Sequence, residues 1–168
     1  MIKIIKGSVV YSDSEAIVNA ANSSLMGGGG VDGAIHDAAG DELYDECKGL
    51  GPLKTGKAVI TPGFNLKAKY IIHTVGPIYS DHNKEDNEKL LASCYFSCLD
   101  LAKVNNIHSI SFPGISTGVY GYPLDDAVKI AIRSVKEWLC QNNYDIDINY
   151  YCFNNREYDA YRRELPNL

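Results

Sequence analysis

The chain has 168 residues, 45% of them hydrophobic, and 16 Lys and Arg set against 21 Asp and Glu give a net charge of -5. That is one domain's worth of chain, 1–168, with enough apolar content to enclose a core. An acidic surface offers a nucleic-acid backbone no electrostatic footprint, and no run spans a bilayer, so neither nucleic acid nor membrane is an expected partner.

In chain order, residues 2–5 read as a short strand, where a signal peptide would instead need a longer apolar run. A second strand covers 15–20, and a helix covers 31–47 with Ile35, Ala38, Ala39 and Leu43 on one side. Strands follow at 57–61, closed by Pro62-Gly63, and at 69–75, closed by Gly76-Pro77. A polar segment over 80–87 precedes a helix over 87–104, whose Leu90, Leu91, Cys94, Cys98 and Leu101 share one face. A strand at 107–112 and a loop at 113–123 lead to a helix over 124–141, with Asp125 and Asp126 favouring its first turn. The last strand is 146–153 and the last helix 156–165. Strands alternating with helices predict an α/β sandwich around a largely parallel sheet. The five cysteines are odd in number and mostly lie in apolar segments, which predicts reduced thiols and a cytoplasmic address. Cys94 and Cys98 stand one helical turn apart, but no second Cys/His pair stands at zinc spacing, so no metal is expected.

The chemistry concentrates in two glycine loops. The first holds Gly27, Gly28, Gly29 and Gly30 between a strand and a helix. Unpaired N–H groups and the helix dipole there suit a phosphate. Gly28, Gly30 and Gly33 also match G-x-G-x-x-G, yet the stretch from Tyr44 to Pro52 supplies no second strand ending in an acidic residue, so a dinucleotide fold is excluded. No Gly-Lys-Ser/Thr follows either, which excludes a P-loop. The second loop carries Gly114, Ser116, Thr117, Gly118, Val119, Tyr120 and Gly121, again between a strand end and a helix. Two such loops can grip one diphosphate from opposite sides, with Tyr120 covering a sugar.

These residues carry a resemblance. Asn19-Ala20-Ala21-Asn22, the run Leu25-Met26-Gly27-Gly28-Gly29-Gly30-Val31-Asp32-Gly33 with Ile35-His36, Tyr70-Ile71-Ile72-His73-Thr74-Val75-Gly76-Pro77 and Ser116-Thr117-Gly118-Val119-Tyr120-Gly121-Tyr122-Pro123 resemble the macrodomain family, in its MacroD-type branch. The resemblance covers nearly the whole chain. It implies a three-layer α/β/α sandwich with a central mixed, largely parallel sheet. It also implies ADP-ribose binding and hydrolysis of ester-type bonds on the distal ribose. The substrate would be ADP-ribosylated protein or O-acetyl-ADP-ribose, with no cofactor. By the same resemblance Asn22 and Asp32 bond the distal ribose and place a water. Gly28, Gly29, Gly30 and Val31 form the first phosphate loop, and Ala21 is a further ADP-ribose-binding residue. Gly114, Ser116, Thr117, Gly118, Val119 and Tyr120 form the second. Phe153 stacks on adenine, with Asn154 beside it and Ser8 and Val9 near the base. Many members carry Asp where this chain has Ser8, and a charged acceptor is typically worth ~1.5–3 kcal/mol, so adenine recognition is expected to be weaker here.

A carboxylate–ribose ester is already activated. A placed water, a weak base such as Asp32 and amides that offset developing charge suffice to hydrolyse it. From position alone, Asp32 is equally an aspartate drawn to a helix N-terminus, and Asn22 is also readable as an Asx turn. His36, one helical turn after Asp32, reads as a histidine at a packing surface ahead of one that tunes Asp32, and His73 as core or a supporting donor. A non-catalytic ADP-ribose reader would keep both loops without needing Asp32. Nothing suggests an obligate interface, so a monomer is expected.

Overall fold

The computed structural model describes residues 1–166 and gathers the strands into one six-stranded sheet. The strands are β1 (Ile2–Lys6), β2 (Ala16–Ala20), β3 (Ala58–Pro62), β4 (Tyr70–Thr74), β5 (Ser109–Phe112) and β6 (Asp147–Cys152). Their order is β1-β6-β5-β2-β4-β3. Every pairing is parallel except that of β3 with β4. The helices are α1 (Gly30–Ala39), α2 (Asp41–Cys47), α3 (Lys84–Val104), α4 (Leu124–Gln141) and α5 (Asn155–Glu164), with single 3-10 turns at Val9–Tyr11 and Asp81–Asn83.

Successive strand side chains point to opposite faces, and both faces are buried. On β2 and β4, Ile17 and Ile71 pack with Ile35 and Ala39 of α1 and with Leu43 and Cys47 of α2. Their neighbours Val18 and Ile72 pack on the other side with Leu91, Cys94 and Cys98 of α3, Trp138 of α4 and Tyr161 of α5. The result is the expected three-layer α/β/α sandwich.

Most element bounds fall within two residues of the sequence reading, and two elements differ by more. The helix expected over 31–47 is two helices, because Gly40 adopts φ 94° and its N–H caps α1 on His36 O. That left-handed turn suits glycine and restarts the chain as α2. α3 begins at Lys84, ahead of the apolar stripe, where Glu85 and Asp86 complement the helix dipole.

Parallel pairing decides where the loops lie. The chain leaves β1, β6, β5, β2 and β4 at the same edge of the sheet. Segments 7–9, 153–154, 113–123, 21–30 and 75–78 therefore line that edge in this order. From β1 to β2 is three inter-strand steps, roughly 14 Å.

Candidate active site

β2 ends at Ala20, and the buried Ala21 N–H still donates to Thr74 O at 2.9 Å, holding the start of the glycine loop on β4. Asn22 then folds the loop back: its Nδ2 donates to Gly27 O at 2.9 Å while its Oδ1 accepts from Ser24 Oγ at 2.7 Å. Gly28 comes to rest between the two side chains expected to do the chemistry. A Cβ built there would lie 3.3 Å from Asn22 Nδ2 and 3.3 Å from Asp32 Oδ2. Gly29 is the N-cap of α1, Gly30 is its first residue, Val31 is half-buried, and Gly28, Gly29 and Gly30 are exposed. The α1 N-terminus thus opens onto the crevice with its unpaired N–H groups.

Asp32 sits in the first turn of α1 and is only 4% exposed. Its Oδ1 accepts from Asn19 Nδ2 at 2.9 Å. His36, one turn along, brings Nε2 to 3.5 Å from the same oxygen while its ring packs against Gly27. His36 thus meets both alternatives the sequence left open, the packing surface and the approach to Asp32. Asn19 Oδ1 and His36 Nε2 are buried without a hydrogen-bond partner. Behind them Asn19 Nδ2 meets His73 Nδ1 at 3.1 Å, and His73 Nε2 meets Thr61 Oγ1 at 2.9 Å. Burial, with a smaller contribution from His36, lowers the His73 pKa to about 3. Burial and the Asp32 charge push the nearby Cys47 thiol up to about 11. Sequence reasoning assigned no role to Asn19. The signal was present, since a buried amide in an apolar strand needs partners.

The second loop is fixed from behind. Ser116 is buried with φ 67°, and its Oγ donates to Pro77 O at 2.8 Å. Its hydroxyl is thus engaged inside the protein. Tyr122 N–H donates to Ser116 O and Gly121 N–H to Gly118 O, while Tyr120 O accepts from Tyr79 N–H. Gly114 lies under Thr117, whose Oγ1 would be 2.8 Å from a Cβ there. Gly118 is exposed, and Val119 is 99% exposed. Because β5 is the parallel neighbour of β2, this loop and the glycine loop rise side by side.

At the far end Ser8 is half-buried beside the buried Val9, and Phe153 is 77% exposed. Asn154 is the N-cap of α5: its Oδ1 accepts from Glu157 N–H at 2.9 Å, while Glu157 Oε2 accepts from Phe153 N–H at 2.8 Å. The Asn154 side-chain carbonyl is thus turned to the helix, while the resemblance sets the residue beside the adenine or its ribose. Among the described residues no three His, Cys, Asp or Glu side chains gather to hold a metal ion.

The Macro domain family model matches residues 18–131. The chain is 47% identical over 165 residues to human "ADP-ribose glycohydrolase MACROD2", covering 98% of this chain and 39% of that protein. It is 48% identical to a "Macro domain-containing protein" of Methanosarcina mazei, covering 99% of this chain and 89% of that one. It therefore spans less than half of the MACROD2 proteins it matches. The Oceanobacillus iheyensis macrodomain with ADP superposes at TM-score 0.91 and 45% identity, covering 97% of this chain and 88% of that one. A Trypanosoma brucei macrodomain in complex with ADP-ribose gives TM-score 0.91 and 40% identity, covering 98% and 68%.

Proposed function

Because this chain belongs to the Macro domain family, we propose that it binds ADP-ribose in the crevice and hydrolyses ester-type bonds on the distal ribose. Its substrates are then proteins carrying mono-ADP-ribose on acidic side chains, O-acetyl-ADP-ribose, or both. The observation that carries this reading is the convergence of Asn22 Nδ2 and Asp32 Oδ2 on one point at Gly28, beside the α1 N-terminus. The relatives named ADP-ribose glycohydrolases supply the reaction class, and the macrodomains solved with ADP and ADP-ribose supply the ligand. Solved variants of the Oceanobacillus iheyensis macrodomain replace an asparagine, a glycine and an aspartate whose mutual spacing equals that of Asn22, Gly29 and Asp32.

In this reading adenine lies between Ser8, Val9 and Phe153, whose ring is exposed with no packing reason to be. The diphosphate crosses the amides of Gly28, Gly29, Gly30 and Val31 on one side and of Ser116, Thr117, Gly118, Val119 and Tyr120 on the other. Those amides bind an anion on a protein whose net charge is -5, so binding is local rather than steered by the whole surface. The distal ribose reaches Asn22 and Asp32. Asp32 orients a sugar hydroxyl through Oδ2 and accepts the proton of an attacking water. The α1 dipole and the loop amides offset the charge that develops on the reacting oxygen. Positioning alone lowers such barriers by several kcal/mol, up to ~7–11 in favourable cases.

We take residues 1–168 as one macrodomain, since β1 from one end of the chain pairs with β6 from the other. We also take it as a cytoplasmic monomer; its five free cysteines fit a reducing compartment. The test is calorimetric titration with ADP-ribose against AMP and NAD, then release of ADP-ribose from a glutamate-modified protein. Asp32→Ala is expected to lose most turnover while ADP-ribose affinity stays within about tenfold, ~1.4 kcal/mol. Persistent turnover in that variant would refute the role given to Asp32. Binding without turnover in the wild-type chain would leave a reader rather than a hydrolase.

A further inference from the structure

Asn19 and His73 are polar residues next to the C-terminal ends of two largely apolar strands. They are cross-strand partners in the β2–β4 register, and both are fully buried. Unpaired polar groups there cost free energy, and the fold pairs Asn19 Nδ2 and both ring nitrogens of His73, leaving only Asn19 Oδ1 of these atoms without a partner. Their surroundings leave each proton one position. Asn19 turns its NH₂ toward Asp32 Oδ1, where a carboxylate offers only acceptors. The same NH₂ faces His73 Nδ1, which must therefore accept. The ring proton is then on Nε2 and donates to Thr61 Oγ1. Thr61 passes its own hydroxyl hydrogen to Pro62 O at 3.1 Å. A flipped Asn19 would set its carbonyl against a carboxylate. A doubly protonated His73 would set a donor against a donor.

We propose that Thr61, His73 and Asn19 form a neutral hydrogen-bond chain that holds the Asp32 carboxylate in its working position, which makes His73 a positioning residue. The inference rests on the role given above to Asp32. The chain starts at β3, crosses β4 and β2, and ends on the first turn of α1, so it ties the carboxylate to three strands of the sheet. Nothing in it needs to move a proton. Its work is to fix one oxygen of Asp32 so that the other faces the crevice at Gly28. His36 approaches the same Oδ1 from α1 itself, and it cannot replace an anchor that comes from the sheet.

Three variants and two readouts decide the matter. His73→Leu removes the acceptor for Asn19. His73→Asn returns one, because its side-chain oxygen can occupy the place of Nδ1. Thr61→Val removes the acceptor that fixes the ring tautomer. The rate readout is kcat and KM on a glutamate-ADP-ribosylated protein, with ADP-ribose affinity measured alongside. His73→Leu is expected to lower kcat roughly ten- to hundredfold while KM and affinity change by less than about threefold. His73→Asn is expected to recover most of that loss, and Thr61→Val to fall between. A role confined to core stability would lower the melting temperature without this split and without rescue. The second readout is the ¹⁵N spectrum of the histidine rings. His73 is expected to appear as a single Nε2–H tautomer that does not titrate from about pH 5 to 9, and Thr61→Val to disturb it. Wild-type kcat in a folded His73→Leu variant would overturn the proposal, as would an Nδ1–H tautomer in the native protein. If the wild-type chain proves inactive, the functional reading fails, and the ring spectrum still decides whether the chain exists as drawn.

Discussion

Gly33→Ala tests whether the glycine loop owes its position to the helix beneath it. Gly33 lies in the first turn of α1, and a Cβ there would stand 2.4 Å from Gly28 O, a backbone atom that cannot swing aside. Real Cβ atoms do not approach closer than 3.0 Å, so the loop or the helix must move by at least about 0.6 Å. Two effects oppose each other in stability. Alanine gains up to ~1 kcal/mol over glycine inside a helix, and less in a first turn. Overpacking costs about 1–3 kcal/mol. The net loss of folding stability is expected to be up to ~3 kcal/mol, measured by urea denaturation. The larger effect falls on function, because the displaced carbonyl belongs to the residue lying between Asn22 and Asp32. ADP-ribose affinity by calorimetry is expected to fall roughly ten- to hundredfold, ~1.4–2.8 kcal/mol, with turnover falling at least as far. Gly49→Ala is the control, since a Cβ there meets nothing within 4 Å. A folded Gly33→Ala protein that binds and turns over like the wild type would refute the close-packed geometry on which the site depends.

Stability should also depend on pH through His73. Its pKa is about 3 in the fold against 6.5 for the unperturbed side chain. Between those values the unfolded state holds a proton that the native state does not. Stability should therefore be full above about pH 6.5 and fall as pH is lowered toward 3, by up to ~1.4 kcal/mol per pH unit for this one group. Urea titrations at several pH values check this, and a His73→Asn variant with an undiminished slope would assign the loss elsewhere. Thiol reactivity gives a simpler check. Cys47, Cys94, Cys98 and Cys152 are buried and only Cys140 is exposed. Burial raises the pKa of Cys94 to about 11 and of Cys152 to about 12. A thiol reagent should therefore label one cysteine in the native protein and all five after denaturation. Rapid labelling of more than one would contradict the packing of α2, α3 or β6.

Much of this molecule was legible before any coordinates. The glycine run between a strand and a helix, the second loop of the same kind and the alternation of strands with helices are local features. Backbone sterics and side-chain period act over a few residues and leave a direct trace in sequence. The resemblance added the roles proposed for Asn22 and Asp32, whose side chains converge at Gly28. Tertiary structure alone decided the order β1-β6-β5-β2-β4-β3, and with it the alignment of five loops on one edge. It turned the Ser116 hydroxyl inward to Pro77 and the Asn154 carbonyl onto α5. It also joined Asn19 to His73, 54 residues away, and to Asp32. A buried amide announces that it needs a partner but not which one, because the partner is chosen by strand register, a property of the assembled sheet.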